Sequence, residues 1–122
     1  MTDMNRTIEI LDRLIAFPTV SRDSNIDLID WVQDLLQRAN FDVMRIWSPD
    51  RTKAGLFARI GPKVDGGVCL SAHTDVVPVD GQVWTRPEFQ LTDEGDRLFG
   101  RGATDMKGFL ASALALAERA KS

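Results

Sequence analysis

The period of the apolar residues changes at Phe41, and that change limits the folds open to this chain. Before it, Ile8, Leu11, Leu14 and Ile15 recur at helical spacing, which predicts a first amphipathic helix over residues 3–17, stopped by Pro18. Leu28, Trp31, Val32, Leu35, Leu36 and Ala39 make a second continuous stripe, ending at Asn40. Ser24, with Asp27 three residues on, has the form of a capping box for that helix. From Phe41 the pattern turns to short segments of strand type, expected over residues 41–47, 54–60 and 68–72. Turn-forming residues separate them: Ser48, Pro49 and Asp50 in one gap, and Gly61, Pro62 and Gly67 in the next.

The third segment, Val68-Cys69-Leu70-Ser71-Ala72, lacks alternation and reads as a strand buried on both faces, the kind found inside an α/β sheet. A longer irregular stretch, residues 76–89, holds Pro78, Gly81 and Pro87. After it, residues 90–92 and 97–99 are placed to pair as a hairpin around Glu94 and Gly95. Residues 109–120 are rich in Ala and Leu nearly all round, as in a helix packed on most sides. The expected class is therefore α/β, a mixed central sheet flanked by helices. No repeat or linker divides the chain, so residues 1–122 read as one unit.

With 43% hydrophobic and 27% charged residues, 122 residues are enough to bury a core. A formal charge of -3 and scattered Lys and Arg residues offer no basic face for nucleic acid or an anionic membrane. The leading segment is polar, and no apolar run reaches the roughly 18 to 20 residues that span a bilayer, so a cytoplasmic location is expected. Cys69 is the only cysteine, which excludes an internal disulfide and a Cys-rich zinc site; a small buried apolar residue is its expected role.

His73, the only histidine, follows the apolar run 68–72 at what would be the carboxyl end of a strand, where open α/β sheets place their binding crevices. Two readings are open: a hydrogen-bonded rim residue, or a metal ligand whose second ring nitrogen donates to Asp75. Asp75 reads equally as a turn-capping carboxylate ahead of Pro78. The cluster from Gly100 to Gly108 runs into the last helix and contains Gly100-x-Gly102. A dinucleotide loop wants a third glycine where this chain has Asp105, whose charge repels a pyrophosphate. Asp105 is either a helix N-cap or a carboxylate able to bridge two cations.

Two segments, Ser71-Ala72-His73-Thr74-Asp75-Val76-Val77-Pro78 and Gly100-Arg101-Gly102-Ala103-Thr104-Asp105-Met106-Lys107-Gly108, together resemble the leading signatures of the co-catalytic zinc metallopeptidases. That family includes acetylornithine deacetylase, succinyl-diaminopimelate desuccinylase and aminoacylase. The likeness extends to Phe17-Pro18-Thr19-Val20-Ser21-Arg22 and to Val79-Asp80-Gly81-Gln82-x-Trp84, which point within the family toward the acetylornithine deacetylase type.

The resemblance implies a zinc-exopeptidase-like catalytic domain, of which this chain is the amino-terminal portion. His73 is then a ligand of one zinc, Asp105 the bridge between two, and Asp75 the carboxylate that holds the His73 ring, with a cis peptide after Asp105. It further implies hydrolysis of a small N-acyl amino acid, two zinc ions for which cobalt may substitute, and a homodimer built through a second domain. The family's Glu-Glu pair and second histidine are not in these 122 residues, so the chain alone is expected to be inactive. A non-catalytic partial metal-binding module is the alternative. Trp84, Arg86 and Arg101 are candidates for substrate contact, each with an ordinary packing or ion-pair role as the other reading.

Overall fold

The structure, a computed structural model, describes residues 3–120; the ends of the leading and trailing segments read above (Met1, Thr2, Lys121, Ser122) lie outside the described residues. In chain order the elements are α1 (Asp3–Ala16), α2 (Ile26–Arg38), β1 (Asp42–Trp47), β2 (Ala54–Arg59), β3 (Thr92–Asp93), β4 (Leu98–Phe99) and α3 (Gly108–Arg119). A wide turn, Ala103–Lys107, leads into α3.

Helix α1 forms as its period predicts and ends beside Pro18. Its stripe of Ile10, Leu11, Leu14 and Ile15 is buried against α3, whose Ala111, Leu114 and Ala115 are buried in turn. Complete burial of side chains such as Ile10, Leu14, Ile15 and Leu28 stabilises the fold by about 1.5 to 3 kcal/mol each before entropy is counted. Helix α2 buries Leu28, Ile29, Val32, Leu35 and Leu36 in the same core, and Trp31 lies tilted against Phe17 with ring centroids 6.4 Å apart. Asn40, with φ 66°, turns the chain out of α2, as its position after the stripe predicts.

The amino end of α2 departs from expectation. Its cap position is Asn25, and no Ser24–Asp27 capping box forms. The Ser24 hydroxyl accepts only from Ile26 N–H, 3.2 Å away. The Asn25 amide instead grips the start of β2, donating to Ala54 O and accepting from Ala54 N–H, both at 2.9 Å. A side-chain amide matches the donor and acceptor of a strand residue, so this tertiary pairing displaces the local cap.

Strands β1 and β2 form an antiparallel ribbon in which Met44 faces Phe57 and Arg45 faces Leu56. One face, with Val43, Leu56 and Ala58, packs on the core, while Met44, Ile46 and Phe57 stay exposed. Strands β3 and β4 form the expected hairpin, closed by Glu94 N–H donating to Arg97 O. Among the described residues these two ribbons are separate, and the one parallel contact is an isolated bridge between Val20 and Val76.

The expected central sheet is therefore not formed. Residues 68–72 are not a strand; Val68 is 90% exposed, and Cys69 is exposed rather than buried. A strand inside an α/β sheet needs hydrogen-bonded neighbours on its edges and covering layers on both faces. Here β1 and β2 pair only with each other, and Gly61, Gly66 and Gly67, all in left-handed conformation, carry the chain away from β2. The α/β mixture of helices and strands holds; the sheet arrangement does not.

Candidate metal centre

Two loops meet to make the site. Residues 19–21 run beside residues 74–76: Val76 N–H donates to Thr19 O at 2.9 Å, and Ser21 N–H donates to Val76 O at 3.0 Å. The buried Thr19 hydroxyl donates to Thr74 O at 2.6 Å. This strap fixes the backbone that presents His73 and Asp75.

The second loop is the turn Ala103–Lys107. Lys107 N–H donates to Gly102 O, and Gly108 N–H to Ala103 O, so each hydrogen bond closes over five residues instead of four. Asp105 has φ -128° and ψ 92°, which are not helical, and the Asp105–Met106 peptide is cis. Asp105 does not cap α3, whose first turn starts at Gly108; its side chain is 84% exposed and faces His73. The glycines of the cluster serve close packing. At Gly102, φ is 87° and a Cβ would fall 2.4 Å from Val76 Cγ1, while at Gly108 one would fall 2.5 Å from Ala103 O. Gly102 thus brings the turn against the segment that carries Asp75.

Lys107 anchors the turn from below. It is fully buried, and its Nζ donates to Leu14 O and Phe17 O, both at 2.8 Å. These are carbonyls at the end of α1, where a cation is electrostatically favoured. Burial nevertheless pushes the Lys107 ammonium down to about 8.

The result is an imidazole held between two carboxylates. His73 Nε2 lies 2.9 Å from Asp105 Oδ1. On the other side, His73 Nδ1 lies 3.0 Å from Asp75 O and 3.1 Å from Asp75 Oδ1. The second Asp75 oxygen, Oδ2, accepts from the Ser21 hydroxyl at 2.5 Å. His73, Asp75, Gly100, Arg101 and Asp105 line a crevice of about 290 Å³. His73, Asp75 and Asp105 are thus brought together as the spacing and motifs anticipate, although His73 leaves an exposed loop and not a strand end.

The hydrogen bond that His73 Nε2–H donates to Asp105, joined by the Asp75 carbonyl and the Asp75 charge, raises the His73 pKa above its ordinary value. The Ser21 hydroxyl first, and the His73 charge after it, hold the Asp75 carboxyl below the usual range. An imidazole raised in the fold adds stability that is complete below its unfolded pKa and fades as pH rises through the folded one. Because the chain has a single histidine, an NMR titration reads it without ambiguity. The midpoint should lie above about 6.5 and fall toward that value in Asp105→Asn. A wild-type midpoint at or below the free value would contradict the pairing.

The donors present suit zinc in kind, one imidazole nitrogen and one carboxylate, but not in number. Two donors to one ion sit about 3 to 4 Å apart, so the 2.9 Å contact would have to open slightly. Among the described residues, no group of three or more His, Cys, Asp and Glu side chains could hold an ion.

Of the candidates for substrate contact, Trp84 packs beneath Arg101, whose guanidinium carbon is 5.1 Å from the ring centroid, and Gln82 accepts hydrogen bonds from both side chains. Arg101 borders the crevice. Arg86 instead stacks on Phe99 and pairs with Glu94 at 2.7 Å. Ser21 and Lys107 had no role assigned from sequence. Ser21 lies 54 residues from Asp75 and Lys107 90 or more from the carbonyls of Leu14 and Phe17, and no local pattern connects such distant positions.

Residues 69–122 match the family model described as Peptidase family M20/M25/M40. Among curated relatives, the acetylornithine deacetylase of Shigella sonnei (strain Ss046) is 42% identical over 114 residues. That of Buchnera aphidicola subsp. Acyrthosiphon pisum (strain APS) is 36% identical over 110 residues. Either alignment takes in 85% of this chain, which spans 29% of the length of the relative. No helix among the described residues is long and apolar enough to cross a membrane.

Proposed function

We propose that this chain carries the first two ligands of a zinc-dependent amidohydrolase of the acetylornithine deacetylase type, which releases ornithine and acetate from N2-acetyl-L-ornithine. The observation that carries this reading is the 2.9 Å approach of His73 Nε2 to Asp105 Oδ1 inside a stretch that matches a peptidase family. The names of the relatives support an acyl group on ornithine as the substrate; a succinyl-diaminopimelate or broader N-acyl-amino-acid deacylase uses the same machinery.

In this reading His73 offers Nε2 to the ion, Asp75 holds the proton on Nδ1, and Asp105 offers a carboxylate that can serve two cations. Zinc, when bound, supplies polarisation of the amide carbonyl and acidification of water to near neutral pH. The chain's own residues orient these donors and leave the crevice open beside Arg101. The general base that must accept the water's proton, and the third ligand that a catalytic zinc requires, come from outside these 122 residues. Two zinc ions, a cytoplasmic location and a homodimer belong to the same proposal.

Hydrolysis of N-acetylornithine and N-succinyl-diaminopimelate, followed with added zinc or cobalt, tests it. The 122-residue chain alone should show no turnover, and the chain joined to the carboxy-terminal part of the Shigella sonnei relative should show metal-dependent turnover. Turnover by the short chain that His73→Ala abolishes, or a folded joined protein that hydrolyses no N-acyl amino acid, defeats the reading. The second outcome would favour a partial metal-binding module, to which the lone pair of donors also conforms.

A further inference from the structure

We propose that Arg101 is a specificity-determining residue of the crevice, its guanidinium pairing with the free α-carboxylate of an N-acyl amino acid; this rests on the deacylase reading above.

Arg6, Arg22, Arg38, Arg45 and Arg86 each pair with a carboxylate at 3.0 Å or less. Arg101 pairs with none among the described residues, although Asp75 and Asp105 line the same crevice, and it is the one Lys or Arg lining it. Its charge is nevertheless held in place. The guanidinium lies over Trp84, and Nη2 donates to Gln82 Oε1, which also accepts from Trp84 Nε1 at 3.3 Å. In the backbone, Arg101 N–H donates to Glu88 O at 2.7 Å, and the flanking Gly100 and Gly102 pack closely on Ile15 and Val76. Arg86 makes the contrast: it stacks on Phe99 in the same manner, but its Nε donates to Glu94. The Arg101 Nε–H is buried and has no acceptor among the described residues.

A guanidinium stays charged throughout the working pH range and meets carboxylates through paired N–H groups. A metal ion in the crevice would repel it, so the guest that satisfies Arg101 is an anion. An N-acyl amino acid brings one. Acylation removes the charge of the α-amine, which leaves the α-carboxylate, one carbon from the amide nitrogen, as the charge nearest the bond to be cut. Like charge turns the far ammonium of an ornithine side chain away from Arg101.

The test compares N2-acetyl-L-ornithine with its primary carboxamide, in the zinc-loaded chain joined to the carboxy-terminal part of the Shigella sonnei relative. Wild type should favour the carboxylate by roughly 10 to 100-fold in kcat/KM, the scale of a hydrogen bond to a charged group, with most of the difference in KM. In Arg101→Met that ratio should fall toward one, and Arg101→Lys, which keeps the charge without the fork, should retain part of it. Arg101→Gln serves if the methionine variant does not fold. A wild type without the preference, or a preference that survives in a folded Met or Gln variant, overturns the role of Arg101 and leaves the deacylase reading standing. If the joined wild type hydrolyses neither compound, the deacylase reading fails and Arg101 is judged in the 122-residue chain alone, without metal. There N-acetylglycine, at constant ionic strength, should shift the Trp84 indole N–H resonance saturably, and N-acetylglycinamide should not; Trp84→Phe assigns the signal. A shift lost in Arg101→Met keeps Arg101 as a carboxylate site, and no shift in the wild type overturns it.

Discussion

Asp105→Ala is expected to abolish metal-dependent hydrolysis in the chain joined to a relative's carboxy-terminal part, with little change in thermal stability. The two halves of that expectation have different sources. The carboxylate makes one contact, to His73 Nε2, and its side chain is 84% exposed, so the fold loses almost nothing, within about 0.5 kcal/mol for a surface change. In the proposed site the same carboxylate serves two cations at once. Its removal should cost well beyond the roughly 10 to 100-fold typical of an outer partner such as Asp75. Bound metal counted in the purified protein should fall with the rate. A variant that keeps both its metal and its rate would show that the turn Ala103–Lys107 has only a structural purpose.

Lys107→Met should have the opposite profile, a large loss of stability from a residue that touches no substrate. Methionine keeps much of the volume but cannot donate to Leu14 O and Phe17 O, which end α1 in a buried setting. Each carbonyl keeps one backbone donor, from Phe17 N–H and Thr19 N–H respectively, so neither is wholly orphaned. Breaking two buried charge-assisted bonds then costs about 2 to 4 kcal/mol, less than their sum because the ammonium is no longer buried. Against a total of roughly 5 to 15 kcal/mol, that is a large fraction. A pH signature accompanies it. The folded pKa of about 8 lies below the ordinary lysine value, so the unfolded chain binds more protons between those limits. Stability should therefore rise as pH increases from about 8 to about 10.4, and the rise should vanish in Lys107→Met. Denaturant unfolding followed by tryptophan fluorescence at both ends of the window gives the comparison; equal stabilities of the two proteins would refute the anchoring role.

What the sequence made legible follows the range of the interactions involved. Helices α1, α2 and α3, strands β1 and β2 and the hairpin β3–β4 appear within a residue or two of their expected places, because periodicity, Pro18, Asn40 and Gly95 act over a single turn of chain. The strand expected at residues 68–72 does not, since its apolar run states what the segment can bury and carries nothing about where the burying partners lie. The cap position falls on Asn25 in place of Ser24, and the Asn25 side chain bonds to Ala54, distant in sequence, in place of a local cap. The meeting of His73 with Asp105 was readable only because two motifs carry it together. The supports from Ser21, Thr19 and Lys107 were not, being side-chain contacts across 54 residues or more.

The exposure of Cys69 gives the chain a built-in reporter. Its only thiol stands on the surface four positions ahead of His73, on the same stretch of backbone that enters the crevice. A maleimide dye or nitroxide attached there needs no other cysteine removed and stands four residues from His73 in the chain. Quenching of such a label by a paramagnetic ion would register occupancy directly, without any turnover to follow.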